Sequence, residues 1–228
     1  MTAAALAAPA AKSIPLPRTL HERLGEVGIL RAEATLEEYL LFAEQCEYRV
    51  EYSNHQIVTL PMPTDTHELI ASNTSWVLKN ELFERPEFRV YGSNLDVYIP
   101  ASGAHYKPDV VVLAAEPEYV FHKVKKNTFR SIVNLYAVVE VFSDSTIAYD
   151  WTEKLPNYKL CPSLQQIIYV HQHTRLITVY TRTDSPNQWL SEDFSDPNAM
   201  IPFAGKEISV SKLYHQVVFS EKPPQSAK

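Results

Sequence analysis

At 228 residues, with 45% hydrophobic and 21% charged residues, the chain has the length and balance of one globular domain rather than two. Its 21 Lys and Arg against 27 Asp and Glu give a net charge of −6, which argues against broad, nonspecific nucleic-acid binding but leaves room for a local basic patch. The two cysteines exclude a disulfide framework and a CxxC zinc site, the five glycines supply no phosphate-cradling loop, and no apolar run reaches the roughly 18 residues a membrane span needs.

Residues 1–18 read as a disordered tail, rich in Ala and Pro and without the basic start of a signal peptide. Residues 19–218 read as a single domain, and residues 219–228 as a second disordered tail. A reducing cytoplasm is the expected compartment. Residues 20–30 could form a short helix. Thr35 opens a clearer one, with Glu38 three residues on completing a capping box. Residues 48–60 read as strands folding back near Ser53 and Asn54. Thr64 or Asp65 caps a helix running to about residue 84, whose stripe includes Leu69, Ile70, Trp76 and Val77. Residues 88–99 read as a strand pair broken at Gly92.

The run KPDVVVL, 107–113, predicts a strand buried on both faces. Residues 114–130 read as a polar connection. LYAVVEVF, 135–142, is a second fully buried strand, followed by a helix over about 146–160 with Pro156 inside it. Residues 166–170 and 176–181 alternate and should pair as a hairpin. The remainder gives short strands and a helical turn near Lys212.

Two acids stand out in this pattern. Asp109 begins an otherwise apolar strand, and Glu140 lies inside another. A buried carboxylate needs a cation or a hydrogen-bonding partner. If the strands are neighbours, both could converge on one divalent metal of the magnesium type, which takes oxygen ligands and keeps several waters; the Val141 carbonyl could add another oxygen. Taken singly, Asp109 could instead end a turn and Glu140 could pair with an arginine. Lys154, fourteen positions after Glu140, lies one turn from Asp150 on the flank of the following helix. It could reach the strand ends to orient water and stabilise phosphate charge, or simply form a surface pair with Asp150.

The order Thr35-Leu-Glu-Glu-Tyr39, Arg49-Val-Glu51, KPDVVVL, VVEVFSDST from Val138 to Thr146, Glu153-Lys154-Leu155 with Tyr158, and a hairpin opening at Ile167-Ile168-Tyr169 resembles the Uma-type restriction endonuclease family. That family is a branch of the PD-(D/E)XK nuclease superfamily, and the resemblance covers roughly residues 33–217. It implies a restriction-endonuclease-like α/β (α+β) fold, a central mixed β-sheet flanked by helices, and a magnesium-dependent phosphodiester hydrolysis site, with manganese as a substitute. Asp109 and Glu140 match the acids of that pattern, and Glu51 matches an early acid that could complete the metal shell or the groups behind it. The usual lysine position, two after the glutamate, is Phe142 here; the matching residue of this branch is Lys154. The chain departs from the family at Ser53-Asn54-His55-Gln56, where an acidic, glycine-containing turn is usual, and at Pro156. A proline there demands a kink or a new helix starting near Leu155.

DNA is the substrate that the resemblance implies, with no membrane partner. A homodimer follows by analogy, since cutting both strands needs two sites. Lys123, Lys125, Lys126 and Arg130 form a basic cluster that could contact phosphate, or be a solvated loop. His67 reads as a surface residue, Tyr158 as core or as a holder of Lys154, His171 and His173 as turn residues, and Trp76, Trp151 and Trp189 as packing. The alternative function is a catalytically inactive nuclease fold serving as a DNA-binding or protein-interaction module.

Overall fold

The computed structural model describes residues 13–219. Most of the two expected tails, 1–12 and 220–228, lies outside those residues. Residues 13–18, assigned to the first tail, pack: Ile14 and Leu16 are buried, and the Pro17 carbonyl accepts a 2.5 Å bond from the Tyr48 hydroxyl.

In chain order, α1 (Leu20–Leu24) leads to β1 (Leu30–Glu33), α2 (Leu36–Gln45), β2 (Val50–Ser53), β3 (Gln56–Thr59) and α3 (Asp65–Glu81). Five short strands follow: β4 (Arg89–Tyr91), β5 (Val97–Ile99), β6 (Ala104–Tyr106), β7 (Val110–Leu113) and β8 (Tyr119–Val124). Next are β9 (Asn127–Ile132) and β10 (Ala137–Phe142). A helical segment then runs through α4 (Ile147–Tyr149), a π-helical turn (Asp150–Lys154) and α5 (Leu155–Lys159). The chain closes with β11 (Gln166–His171), β12 (Ile177–Arg182), β13 (Trp189–Phe194), β14 (Met200–Phe203), β15 (Lys206–Ser209) and α6 (Val210–Leu213).

Caps read from the sequence set the helix starts. Thr35 accepts from the Glu38 N–H at 3.2 Å while the Glu38 carboxylate accepts from the Thr35 N–H at 2.7 Å. Thr64 caps α3 by accepting from the His67 N–H at 3.2 Å. The β2–β3 turn needs two left-handed residues, and Asn54 and His55 adopt φ of 51° and 59° there without a glycine.

The strands form two large mixed sheets rather than one. A seven-stranded sheet has the order β1-β3-β2-β6-β5-β9-β8, and a six-stranded sheet β13-β12-β11-β10-β7-β4. Both are mixed, through the parallel pairs β5·β9 and β10·β11. The segment expected to be a polar connection is largely the β8–β9 hairpin. The 88–99 strand pair divides between the sheets, β4 in one and β5 in the other.

Alternation along the strands defines the layers. Val110, Val112, Val139 and Val141 face a core shared with α3 and α6. Val111, Leu113, Val138 and Phe142 face the opposite way, into a core completed by Val97, Ile99 and Tyr106 of the seven-stranded sheet and by Leu155 and Tyr158. That second core lies between the sheets. A third, built on Tyr39, Leu40, Phe42, Val50 and Tyr52, packs α2 on the outer face of the seven-stranded sheet.

Pro156 does not disrupt the helical segment. It falls in the first turn of α5, where its missing N–H removes no helical bond. The preceding turn widens instead, and the Leu155 N–H donates to the Asp150 carbonyl across it.

Candidate active site

The register between β7 and β10 pairs Val112 with Ala137, Val111 with Val138 and Val110 with Val139. One step further along the same register sets Asp109 opposite Glu140. Opposed residues of an antiparallel pair project on one face with Cβ atoms about 5 Å apart. By alternation that face is the one carrying Val111, Val138 and Phe142, the face turned toward the other sheet. Glu51 on β2 alternates with Val50 and Tyr52, which point to the outer core, so Glu51 points back toward the two acids. Three carboxylates thus enter one inter-sheet layer, and all three are buried.

Lys154 closes this layer. Its Nζ lies 2.9 Å from Glu140 Oε1, 3.0 Å from Glu51 Oε1 and 3.4 Å from Asp150 Oδ1, with only 1% of the residue exposed. The Tyr158 hydroxyl donates to Glu140 Oε1 at 2.5 Å, and the Lys107 N–H donates to Glu51 Oε1 at 3.0 Å. The expected alternative of a surface Asp150–Lys154 pair is therefore corrected: both residues are buried, and Lys154 answers three acids rather than one.

Asp109 has its own cradle. His67 Nε2 lies 3.1 Å from Oδ2, the Val141 N–H donates to Oδ2 at 2.9 Å, and Arg49 Nη1 lies 3.3 Å from Oδ1. His67, expected at the surface, is buried at the first turn of α3 and holds this carboxylate. Sequence reasoning also missed Arg49 in this role. A signal was present, since a buried acid demands donors and both residues lie in polar stretches flanking strand or helix starts.

The electrostatics divide the two acids. Burial pushes Asp109 up, but the His67 bond and charge, Arg49 and the Val141 N–H outweigh it and bring its pKa down to about 2. Burial pushes Glu140 up to about 8; Lys154 opposes this, and the charges of Asp150, Asp109 and Glu51 add to it. Burial and the nearby Glu51 and Asp109 likewise raise Asp150 to about 6, against Lys154. Burial alone would lower Lys154, yet Glu140, Glu51 and Asp150 keep it well above the ordinary lysine value. It stands as an ammonium.

These side chains line a cleft of about 730 Å³, with Arg49, Lys107 and His173 also on its wall. The donor chemistry suits a hard divalent cation, because every acidic ligand offers oxygen. Glu51 Oε2 is buried without a hydrogen-bond partner, and the donors from Lys154 and Tyr158 both fall on one oxygen of Glu140. Among the described residues no three His, Cys, Asp or Glu side chains form a ready metal cluster; Glu51, Glu140 and Asp150 instead meet the Lys154 ammonium. Magnesium needs only one or two carboxylates and keeps its waters, so the lack of a third acidic ligand leaves the donor chemistry of Asp109 and Glu140 compatible with it.

The structure does not bring the basic cluster into this cleft. Lys123, Lys125, Lys126 and Arg130 lie exposed on the β8–β9 hairpin at the edge of the seven-stranded sheet. Trp76, expected to pack, is 61% exposed on α3, whereas Trp151 and Trp189 do pack against the inter-sheet core. No helix among the described residues is long and apolar enough to cross a membrane.

The sequence profile of the Uma2 family, described as "Putative restriction endonuclease", matches residues 36–210. Two relatives come from Synechocystis sp. (strain ATCC 27184 / PCC 6803 / Kazusa). "Uncharacterized protein sll1609" is 26% identical over 174 residues, covering 76% of this chain and 94% of that protein. "Uncharacterized protein slr1290" is 27% identical over 184 residues, covering 80% and 92%. Among solved structures, "a putative nuclease belonging to DUF820 from Anabaena variabilis ATCC 29413" superposes with a TM-score of 0.60 at 18% identity, covering 81% of this chain and 99% of that one. That likeness establishes the restriction-endonuclease-like fold.

Proposed function

The chain belongs to the Uma2 restriction endonuclease family, and from that premise we propose that it is a magnesium-dependent DNA endonuclease hydrolysing phosphodiester bonds. A nuclease-like function follows from the family; the metal, the substrate and the roles of single residues are our reading. The observation that carries it is Asp109 opposite Glu140 on one sheet face, with Lys154 2.9 Å from Glu140, at the wall of an open cleft.

Asp109 and Glu140 would hold the cation, with Glu51 beside them; manganese would serve as well. When bound, such an ion supplies Lewis acidity toward a phosphoryl oxygen and makes a bound water a better nucleophile. The chain's own residues supply the rest. Arg49, His67 and the Val141 N–H keep Asp109 ionised and fixed in direction. Lys154 is held protonated, so its part is to orient water and to offset negative charge on phosphate, not to act as a base. Lys107 and Arg49 add positive charge on the wall where a phosphate would approach. The basic cluster on the β8–β9 hairpin extends that charge beyond the cleft, and a homodimer would present the two sites that double-strand cleavage needs.

The test is incubation with plasmid and linear DNA plus magnesium or manganese, beside an Asp109→Ala variant. Cleavage by the native chain and none by the variant is expected; equal nicking by both, or none by either, removes the enzyme reading. A second reading rests on the salt bridges of Lys154, which already neutralise the acids without a metal. It is an inactive nuclease fold serving as a DNA-binding or protein-interaction module, and magnesium binding by calorimetry without cleavage would favour it.

A further inference from the structure

The edge hairpin carries more than charge. Residues 119, 121 and 123 of β8 share one face, and their partners on β9 are Ile132, Arg130 and Thr128. Ile132 points into the inter-sheet core, so by alternation this is the sheet face that also bears Glu51. At the edge of the sheet that face is left uncovered. Phe121 is 61% exposed and Tyr119 37% exposed, with ring centroids 6.2 Å apart, and the Arg130 guanidinium lies 5.1 Å over the Tyr119 ring. Between Tyr119 and Ile132 the chain has four cationic side chains and no Asp or Glu, although acids outnumber bases elsewhere.

The turn adds an independent sign. β8 and β9 are joined by Lys125 and Lys126 alone, and Lys125 has φ of 52°, in the left-handed region that favours glycine at such a turn. A lysine holds this position against its backbone preference. The first residue of β9, Asn127, donates to Glu44 near the end of α2 at 2.7 Å. Ala43, Cys46 and Glu47 of that same stretch line the cleft, so the hairpin is tied to the helix end that forms part of the cleft wall.

From this we infer that the exposed face of the β8–β9 hairpin is a stacking platform for unpaired DNA bases, with Phe121 and Tyr119 taking the base faces and Lys123, Lys125, Lys126 and Arg130 the backbone. This deepens the nuclease reading by naming the substrate class: DNA with a single-stranded or splayed segment beside the cut. Aromatic faces interleaved with cations are the usual means of holding single strands, because every base has a stackable face. Edge lysines alone would be explained as guards against strand pairing between molecules. An exposed phenylalanine among them is not, since it invites the association that they oppose.

The test is fluorescence anisotropy in EDTA, so that no cleavage intervenes, with labelled oligo(dT) of about 20 nucleotides, longer than the footprint of one binding fold. A duplex and an oligo(U) of the same length serve as comparisons. The native chain is expected to bind oligo(dT) best. Phe121→Ala should lose about tenfold in affinity, whereas Phe121→Trp should keep it and show quenched emission on binding. Lys125→Gly should raise thermal stability while lowering affinity and flattening its salt dependence. Unchanged affinity in Phe121→Ala and Tyr119→Ala, or preference for duplex or oligo(U), overturns the platform. So does a concentration-dependent dimer that Phe121→Ala abolishes, which would make a second copy the occupant. Cleavage is scored separately with magnesium. Intact cleavage with unaltered Phe121→Ala binding rejects the platform alone, and stacking without cleavage rejects the nuclease reading alone.

Discussion

Lys154 Nζ lies 2.9 Å from Oε1 of Glu140, a contact made across the inter-sheet layer between a π-helical turn and the middle of a buried strand. The same ammonium also meets Glu51 and Asp150. Removing it leaves three buried acids without their cation. Lys154→Ala is therefore expected to cost about 3–5 kcal/mol of stability, measured by urea unfolding. Magnesium should restore part of that loss in the variant, because a cation can take the place of the ammonium. An unchanged midpoint on adding magnesium would count against metal binding here.

His67 holds Asp109 through its Nε2 at 3.1 Å. His67→Ala should raise the Asp109 pKa from about 2 toward its ordinary value and cost about 1–3 kcal/mol, the usual penalty for leaving a buried partner unsatisfied. NMR titration of the Asp109 carboxyl checks the first part and urea unfolding the second. A pKa that stays put would mean that Arg49 and the Val141 N–H suffice.

Acid should destabilise the fold through Asp109 and Asp96. Burial raises Asp96, but the His105 bond, the charges of Lys107 and His105, and the Ser131 hydroxyl outweigh it and hold its pKa below 3.8. Both groups bind protons more weakly folded than unfolded. Their stabilisation is thus present above about pH 4 and is lost as pH falls through the folded values. For Asp109, the drop from 3.8 to about 2 corresponds to about 2 kcal/mol. Urea midpoints between neutral pH and pH 2 should fall steeply in the native chain. Asp96→Asn should begin lower at neutral pH and fall less.

Glu140 has the opposite sign. Its pKa, raised by burial to about 8 from 4.5, means that the folded chain keeps a proton that the unfolded chain releases. Stability should decline as pH rises from about 4.5 to 8. Glu140→Gln, neutral at every pH, is expected to remove much of that slope in EDTA and to abolish cleavage with magnesium. A slope as steep in the variant as in the native chain would assign the titration to Asp150.

The local signals in the sequence were accurate where the physics is local. The Thr35–Glu38 box, the apolar runs of β7 and β10 and the β11–β12 hairpin form as their patterns imply. The acids Asp109 and Glu140 stand out for the same reason, since an acid in an apolar strand is visible without knowing its neighbours. What escaped depends on distant chain. His67 is buried because Asp109 arrives from another element, and Trp76 is exposed because nothing arrives to cover it. The β8–β9 hairpin escaped because its outward face mixes lysine with aromatics and its inward face holds His122, so it lacks a clean apolar period. The division into two sheets escaped because partners of short strands are chosen by the whole fold.

The widened turn at Asp150–Lys154 has one more consequence. It contains one residue beyond regular helical spacing, and Lys154 is its last residue. Deleting one residue within the turn would restore regular spacing and leave α5 near its present phase, but it would change which side chain stands where Lys154 now meets the acids. An alignment gap confined to this turn would therefore mark a relative whose lysine has left the acids, even where the acids and the tyrosine of α5 remain.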